Sequence, residues 1–252
     1  MQFQGKRVLV TGASRGIGRS TAEAFAHGGA RVAVHFARDH EAAAETVRRL
    51  DGNGHITVQA DLEQPDAARR LIEDVAARLG GLDILVNNAG IYLDHAIIEV
   101  DAEAWRVAWQ RTLAMNLVAP ADLIYWASKL MIPAGGGRVV CVSSRGAFRG
   151  EPLHPAYGAS KAGMNAMAQS LAVALAPHNI FIGVVAPGFV ETDMASPFLE
   201  GRAGDAIRAQ SPTGRVARPE EVAHAILFLA SDGAELTTGT ILDVNGASYL
   251  RT

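Results

Sequence analysis

Short β-branched apolar runs alternate along this chain with longer, Ala-rich stretches of mixed polarity. Val8-Leu9-Val10 and Ile84-Leu85-Val86 are continuously apolar, as strands buried on both faces must be. The pattern predicts strands at 7–11, 31–36, 55–60, 82–87, 137–143, 180–186 and 240–244. Helices are predicted between them at about 16–27, 40–50, 65–79, 101–131, 155–176 and 219–231. Strands joined by helical crossovers make a parallel sheet covered by helices on both faces, so the fold class is α/β, doubly wound. The stretch 101–131 is too long for one average helix, and Pro120 is expected to start or kink a turn inside it. Residues 190–218 lack a clear period and hold Gly201, Gly204, Pro212 and Gly214. They read as a loop with short helices, of the kind that closes over a pocket. With no Pro/Gly/Ser-rich linker, repeat or low-complexity segment, residues 1–252 read as one domain.

Tyr157 and Lys161 stand four apart in a predicted helix and share one face. A neighbouring ammonium stabilises phenolate, lowering a pKa that starts near ~10 and making the hydroxyl a usable proton donor or acceptor. Alone, such a spacing most often just covers surface.

The stretch Thr11-Gly12-Ala13-Ser14-Arg15-Gly16-Ile17-Gly18 follows the first strand and opens the first helix. Its glycines are spaced G-x-x-x-G-x-G, a departure from G-x-G-x-x-G with the same mechanics: a tight turn, close backbone approach to a pyrophosphate, and a helix N-terminus aimed at it. In an NAD site an acidic residue about 20 positions on bonds the ribose hydroxyls. That place falls near Phe36, where no carboxylate stands. Arg15 and Arg38 flank the site instead, and guanidinium forks match phosphate oxygens, so NADP(H) is expected over NAD(H). Asp39 is the residue that argues the other way.

Composition narrows the partners. Hydrophobic residues make up 49% and charged residues 19%, an ordinary globular balance. The formal charge of −3 offers no bulk basic field for nucleic acid or an anionic membrane. No apolar stretch reaches the ~18 residues of a membrane span. The first residues lead straight into a strand, leaving no room for a signal peptide, so a cytoplasmic location is expected. Cys141, the sole cysteine, lies in an apolar run and reads as a buried, inert thiol. The eight histidines show no metal-ligand spacing, so no metal is expected.

From about Lys6 to Gly246 the chain resembles the short-chain dehydrogenase/reductase family. The Gly loop matches, as do Asn87-Asn88-Ala89-Gly90 after the fourth strand, Asn116 in Met115-Asn116-Leu117, Ser144 thirteen positions before Tyr157, and Pro187-Gly188-Phe189-Val190-Glu191-Thr192 after the sixth strand. Four of these motifs fall at carboxyl ends of predicted strands, the edge where open parallel sheets bind ligands. The resemblance implies strand order 3-2-1-4-5-6-7 and a hydride-transfer oxidoreductase of EC class 1.1.1.

By that resemblance Tyr157 exchanges a proton with the substrate oxygen, Lys161 tunes Tyr157 and bonds the nicotinamide ribose, Ser144 donates to the same substrate oxygen, and Asn116 holds a relay water. The implied cofactor contacts are Gly12, Ser14, Arg15, Gly16, Ile17, Gly18, Arg38, Asp61, Leu62, Asn88, Ala89, Gly90, Tyr157, Lys161, Pro187, Gly188, Val190 and Thr192. Asp61 reads equally as an adenine contact or a helix N-cap, and Thr192 as a cofactor contact or a cap on the helix that follows. Ser143 reads as structural, because successive strand residues face opposite ways. His154 is favoured as a solvated loop residue over a pocket one. Trp105 and Trp109 form one aromatic ridge, read as core or subunit packing before a substrate wall.

Specificity is expected from 91–98, 147–154 and 195–208, the last holding Phe198 and Leu199. The resemblance implies a small carbonyl or alcohol compound as substrate. Residues 185–194 look like those of 3-oxoacyl-[acyl-carrier-protein] reductases, which leaves an acyl carrier protein open as a partner. Such a partner calls for a basic patch, with Arg145, Arg149, Arg202 and Arg208 as candidates. The rivals are reduction of a free ketone, sugar or cyclic alcohol, and a non-catalytic NADP(H)-binding regulator. Small residues crowd the Tyr157 helix, and a homotetramer is expected by family likeness.

Overall fold

The computed structural model describes residues 2–251. Seven parallel strands form one sheet: β1 (Arg7–Val10), β2 (Arg31–Phe36), β3 (Ile56–Gln59), β4 (Ile84–Asn87), β5 (Gly137–Val142), β6 (Ile180–Pro187) and β7 (Ile241–Val244). Their spatial order is β3-β2-β1-β4-β5-β6-β7, with β1 and β4 side by side where the winding reverses. Crossovers are made by α1 (Gly16–His27), α2 (His40–Arg49), α3 (Ala67–Leu79), α4 (Ala102–Leu113), α5 (Ala119–Met131), α6 (Pro155–Leu175) and α8 (Pro219–Ala230). A short helix α7 (Gly201–Arg208) precedes α8.

The period-2 alternation of each strand splits the core into two layers. Leu9, Leu85 and Cys141 face one side, against Leu71 of α3, Ile124 of α5 and Met164 of α6. Val8, Val10, Val86 and Val140 face the other, against Phe25 of α1 and Ile226 of α8. This is why the central strands read as unbroken apolar runs. Cys141 is fully buried, and burial pushes its thiol up to about 11, so it stays protonated and inert.

Most element ends shift by one or two residues from the sequence reading, and two departures bear on the site. Pro65 and Asp66 stand outside α3, Asp66 taking a left-handed backbone. The 101–131 stretch stays helical through Pro120: α4 ends at Leu113, a π-helical turn runs over Ala114–Val118, and α5 follows with helical backbone at both junctions, so the π turn absorbs the proline in the first turn of α5. The extra residue of the π turn places Asn116, fully buried, toward the sheet edge. Residues 190–218 hold one 3-10 turn at Ser196–Phe198 and α7, as a loop with short helices should.

Candidate active site

A cleft of about 580 Å³ opens along the carboxyl ends of β1, β2, β4, β5 and β6. Thr11 ties its first two walls together. Its hydroxyl accepts from the N–H groups of Asn88 (2.9 Å) and Ala89 (3.0 Å), while Asn88 Nδ2 donates to the carbonyls of Thr11 (2.9 Å) and Gly12 (3.1 Å). Gly12 has φ +62°, and a Cβ there would stand 3.0 Å from Ala89 Cα. At Gly18 a Cβ would lie 2.3 Å from the Gly12 carbonyl oxygen. The loop is therefore a backbone-lined cradle, which side chains at these positions would fill. It leads into the N-terminus of α1, fitting a pyrophosphate.

Gly12, Ser14, Arg15, Gly16, Ile17 and Gly18 line this end of the cleft; Asn88, Ala89, Gly90, Pro187, Gly188, Val190 and Thr192 line its middle. Arg38, Asp61 and Leu62 line the far end with Glu63 and Arg111. Asp39 caps α2 by accepting from Ala42 N–H at 3.0 Å, so the nearest carboxylate already serves the backbone. Arg38 has no partner among the described residues, whereas Arg15 sits 3.7 Å from Asp193 in an exposed pair. Asp61 does not cap α3: its Oδ1 accepts from Glu63 N–H at 3.1 Å in a turn beside the cleft. Thr192 Oγ1 donates to the Val190 carbonyl at 3.3 Å and caps no helix.

At the other end Ser144, Tyr157 and Lys161 meet. Lys161 is buried, and its Nζ donates to the Val142 carbonyl at 2.8 Å. Burial holds its ammonium down to about 8. Tyr157 departs from the sequence expectation. Burial pushes its phenol up to about 12, a hydrogen bond with Ser144 pulls it down, and Glu151 adds to the rise. The Lys161 Nζ lies 5.7 Å from the Tyr157 ring centroid, too far to offset desolvation of the phenolate. Tyr157 thus holds its proton at neutral pH. Asn116 does not line the cleft. Its Oδ1 accepts from Ile91 N–H and its Nδ2 donates to the Ile91 carbonyl, both at 2.9 Å, which fixes the chain next to Gly90.

The family model described as enoyl-(acyl carrier protein) reductase matches residues 12–247. The 3-oxoacyl-[acyl-carrier-protein] reductase FabG of Escherichia coli (strain K12) is 38% identical over 251 residues, covering 99% of this chain and 100% of that protein. The chain belongs to the short-chain dehydrogenase/reductase family. An L-rhamnose 1-dehydrogenase (NAD(P)(+)) of Sphingomonas sp. (strain SKA58) is 35% identical over 252 residues and 98% of each chain. Among solved structures, the angucycline C-6 ketoreductase LanV with bound NADP superposes with a TM-score of 0.88 at 36% identity, over 97% of this chain and 96% of that one. A short-chain dehydrogenase from Burkholderia cenocepacia J2315 in complex with NADP gives 0.88 at 33%, over 98% and 99%.

In this short-chain dehydrogenase/reductase several site residues escape sequence reasoning. His35 accepts from Gly12 N–H through Nδ1 (3.1 Å) and bonds the Ala60 carbonyl through Nε2 (3.0 Å), so one neutral imidazole joins the ends of β1, β2 and β3. Burial holds its pKa down to about 4. The only signal is a histidine in an otherwise apolar strand. Tyr92 packs edge-on against Tyr157 with centroids 4.6 Å apart and stacks on His154 at 3.6 Å. His154 is buried beside the Asp94 carboxylate, and burial lowers its pKa so that the ring is neutral, which corrects the solvated reading. Trp105 and Trp109 pack on His95 outside the cleft, so they form no substrate wall. Arg145 is buried, its Nη1 donating to Gln210 (2.9 Å) and Ser248 (2.8 Å), which removes it from any surface basic patch. Of 147–154 the cleft receives Glu151, and Phe148 packs under Arg251 instead.

Proposed function

We propose that the chain is an NADPH-dependent carbonyl reductase, working as one catalytic unit. The observation that carries this reading is the meeting of Tyr157 with Ser144 and Lys161 in one cleft with the glycine cradle. The residues that fit the dinucleotide are the cradle itself, Asn88, Ala89 and Gly90 in the middle, and Arg38 for a 2′-phosphate. Bound NADPH supplies the hydride. Tyr157 gives its proton to the substrate carbonyl oxygen, and Ser144 donates a second hydrogen bond to that oxygen as negative charge develops. Lys161, held against the Val142 carbonyl, places a cation behind Tyr157 that steadies the phenolate left after transfer. Asn116 positions Ile91 and Gly90, and a water beside it would reprotonate the site.

Similarity to FabG supports a 3-oxoacyl thioester as one substrate, with an acyl carrier protein as its bearer. Arg145 is buried and supplies no surface charge for such a partner, which leaves Arg149, Arg202 and Arg208 as the basic candidates. No helix among the described residues is long and apolar enough to cross a membrane, in keeping with a cytoplasmic enzyme. Exposed Val118, Tyr125 and Val173, on α6 and on and beside α5, supply apolar surface for a homotetramer, and light scattering reporting a monomer would contradict it. Following NADPH absorbance over a ketone panel tests the enzyme itself. Turnover is expected; NADPH binding without turnover of any ketone would favour a regulator.

A further inference from the structure

The substrate end of the cleft carries three aromatic rings and two charges with unequal surroundings. Tyr92, Phe189 and Phe198 form a continuous wall beside Tyr157, with Tyr92–Phe198 centroids 5.9 Å apart and Phe189–Phe198 6.4 Å. The stack on His154 holds the Tyr92 ring of this wall in place. Rigid rings reward a flat or cyclic ligand, while a flexible acyl chain must lose rotor freedom to lie along them.

Arg145 is anchored by Gln210 and Ser248 and lies over the Phe189 ring at 5.5 Å, so it is part of the frame. Glu151 differs. It lines the cleft half-buried, yet its carboxylate makes no hydrogen bond or close ion pair with any described residue; Arg145 and Arg149 act on it only through their fields. Its position is fixed against the Ser144 turn. A Cβ at Gly146 would lie 3.0 Å from Glu151 Oε1, and Gly146 N–H is the donor to Ser144 Oγ at 3.0 Å. The absent side chain at Gly146 leaves room for the carboxylate beside the reacting end. Half-buried, this carboxylate is an acceptor without a protein donor, and a ligand that supplies a donor as it displaces water there is selected over one that does not. The nearby guanidiniums weaken the local negative field, which favours a neutral O–H over an ammonium.

We propose that Glu151 is a specificity-determining residue that accepts a hydrogen bond from a substrate hydroxyl, and that the substrate is a cyclic ketone bearing such a hydroxyl, stacked on Tyr92, Phe189 and Phe198. The inference rests on the carbonyl-reductase reading and goes beyond it by naming the substrate class. The ring comes from an alicyclic, sugar-like compound or from a fused aromatic one, and the test has an arm for each.

The experiment measures kcat/KM with NADPH for cyclohexanone against α-hydroxycyclohexanone, tetralone against a phenolic hydroxytetralone, and acetoacetyl-coenzyme A. Wild type is expected to prefer the hydroxylated member of at least one pair by about tenfold or more, and that pair names the source. Glu151→Leu collapses the preference toward unity, while Glu151→Gln, isosteric and still an acceptor, retains part of it. A merely structural role would lower both members of a pair alike and leave their ratio unmoved. Turnover with ratios near unity, ratios unmoved by Glu151→Leu, or acetoacetyl-coenzyme A as the best substrate would overturn the inference while leaving the reductase reading intact. No turnover of any compound would overturn both.

Discussion

The Gly12 N–H donates to Nδ1 of His35 across 3.1 Å, so the turn that cradles a dinucleotide hangs on a neutral imidazole. The bond exists only while Nδ1 is unprotonated. Burial holds the folded pKa of His35 at about 4 against an ordinary 6.5, so between those values the unfolded chain binds the extra proton. Stability from this site is complete above pH 6.5 and is lost as pH falls toward 4, by up to ~3 kcal/mol. Melting curves from pH 7 to pH 4.5 should show a decline that flattens in His35→Asn. An equal decline in both proteins would contradict this account.

Gly18 stands where a Cβ would lie 2.3 Å from the Gly12 carbonyl oxygen and 2.7 Å from Asn88 Nδ2. Gly18→Ala must push the loop off the end of β4. A loss of ~1–3 kcal/mol is expected, with a marked fall in NADPH affinity by fluorescence titration. Gly80→Ala, where a Cβ meets nothing within 4 Å but φ is +80°, isolates backbone strain and should leave affinity unaltered.

Arg38 makes no side-chain hydrogen bond or ion pair among the described residues at the far end of the cleft, and Asp39 is committed to capping α2. Arg38→Ala should lower kcat/KM for NADPH by about tenfold or more, with NADH changed far less. Parallel losses for the two cofactors would remove Arg38 from phosphate recognition.

Lys161 titrates near 8, so its charge fades as pH rises through that value. Ketone reduction should therefore fall above pH 8, with no second alkaline fall from Tyr157, whose proton is retained up to about 12. Lys161→Met should abolish the alkaline limb and lower kcat by about a hundredfold. A wild-type profile flat from pH 7 to pH 10 would show that the charge is not used.

Much of this was legible in the sequence because it depends on chain-local chemistry. The apolar runs fix which strands are central, and the glycines at 12, 16 and 18 and the Tyr157–Lys161 spacing need only one turn or one helix to have meaning. What escaped depends on long-range placement. His35 bonds residues 23 and 25 positions away, and Tyr92 meets His154 and Tyr157 only after β4 and α6 are packed. The π turn at Ala114–Val118 leaves no compositional mark beyond Pro120. The direction of the Tyr157 shift is not legible in the Tyr157–Lys161 spacing, because spacing gives neighbourhood but not burial, and burial is the largest cause of that shift.

The most direct measurement is NADPH oxidation with a turned-over ketone by wild type and Tyr157→Phe, with NADPH affinity measured on both proteins. Affinity is expected to stay within about twofold and kcat to fall by ~10²–10⁴-fold in the phenylalanine variant, because only the transferable proton is removed. Retention of most of kcat would contradict Tyr157 as the proton donor.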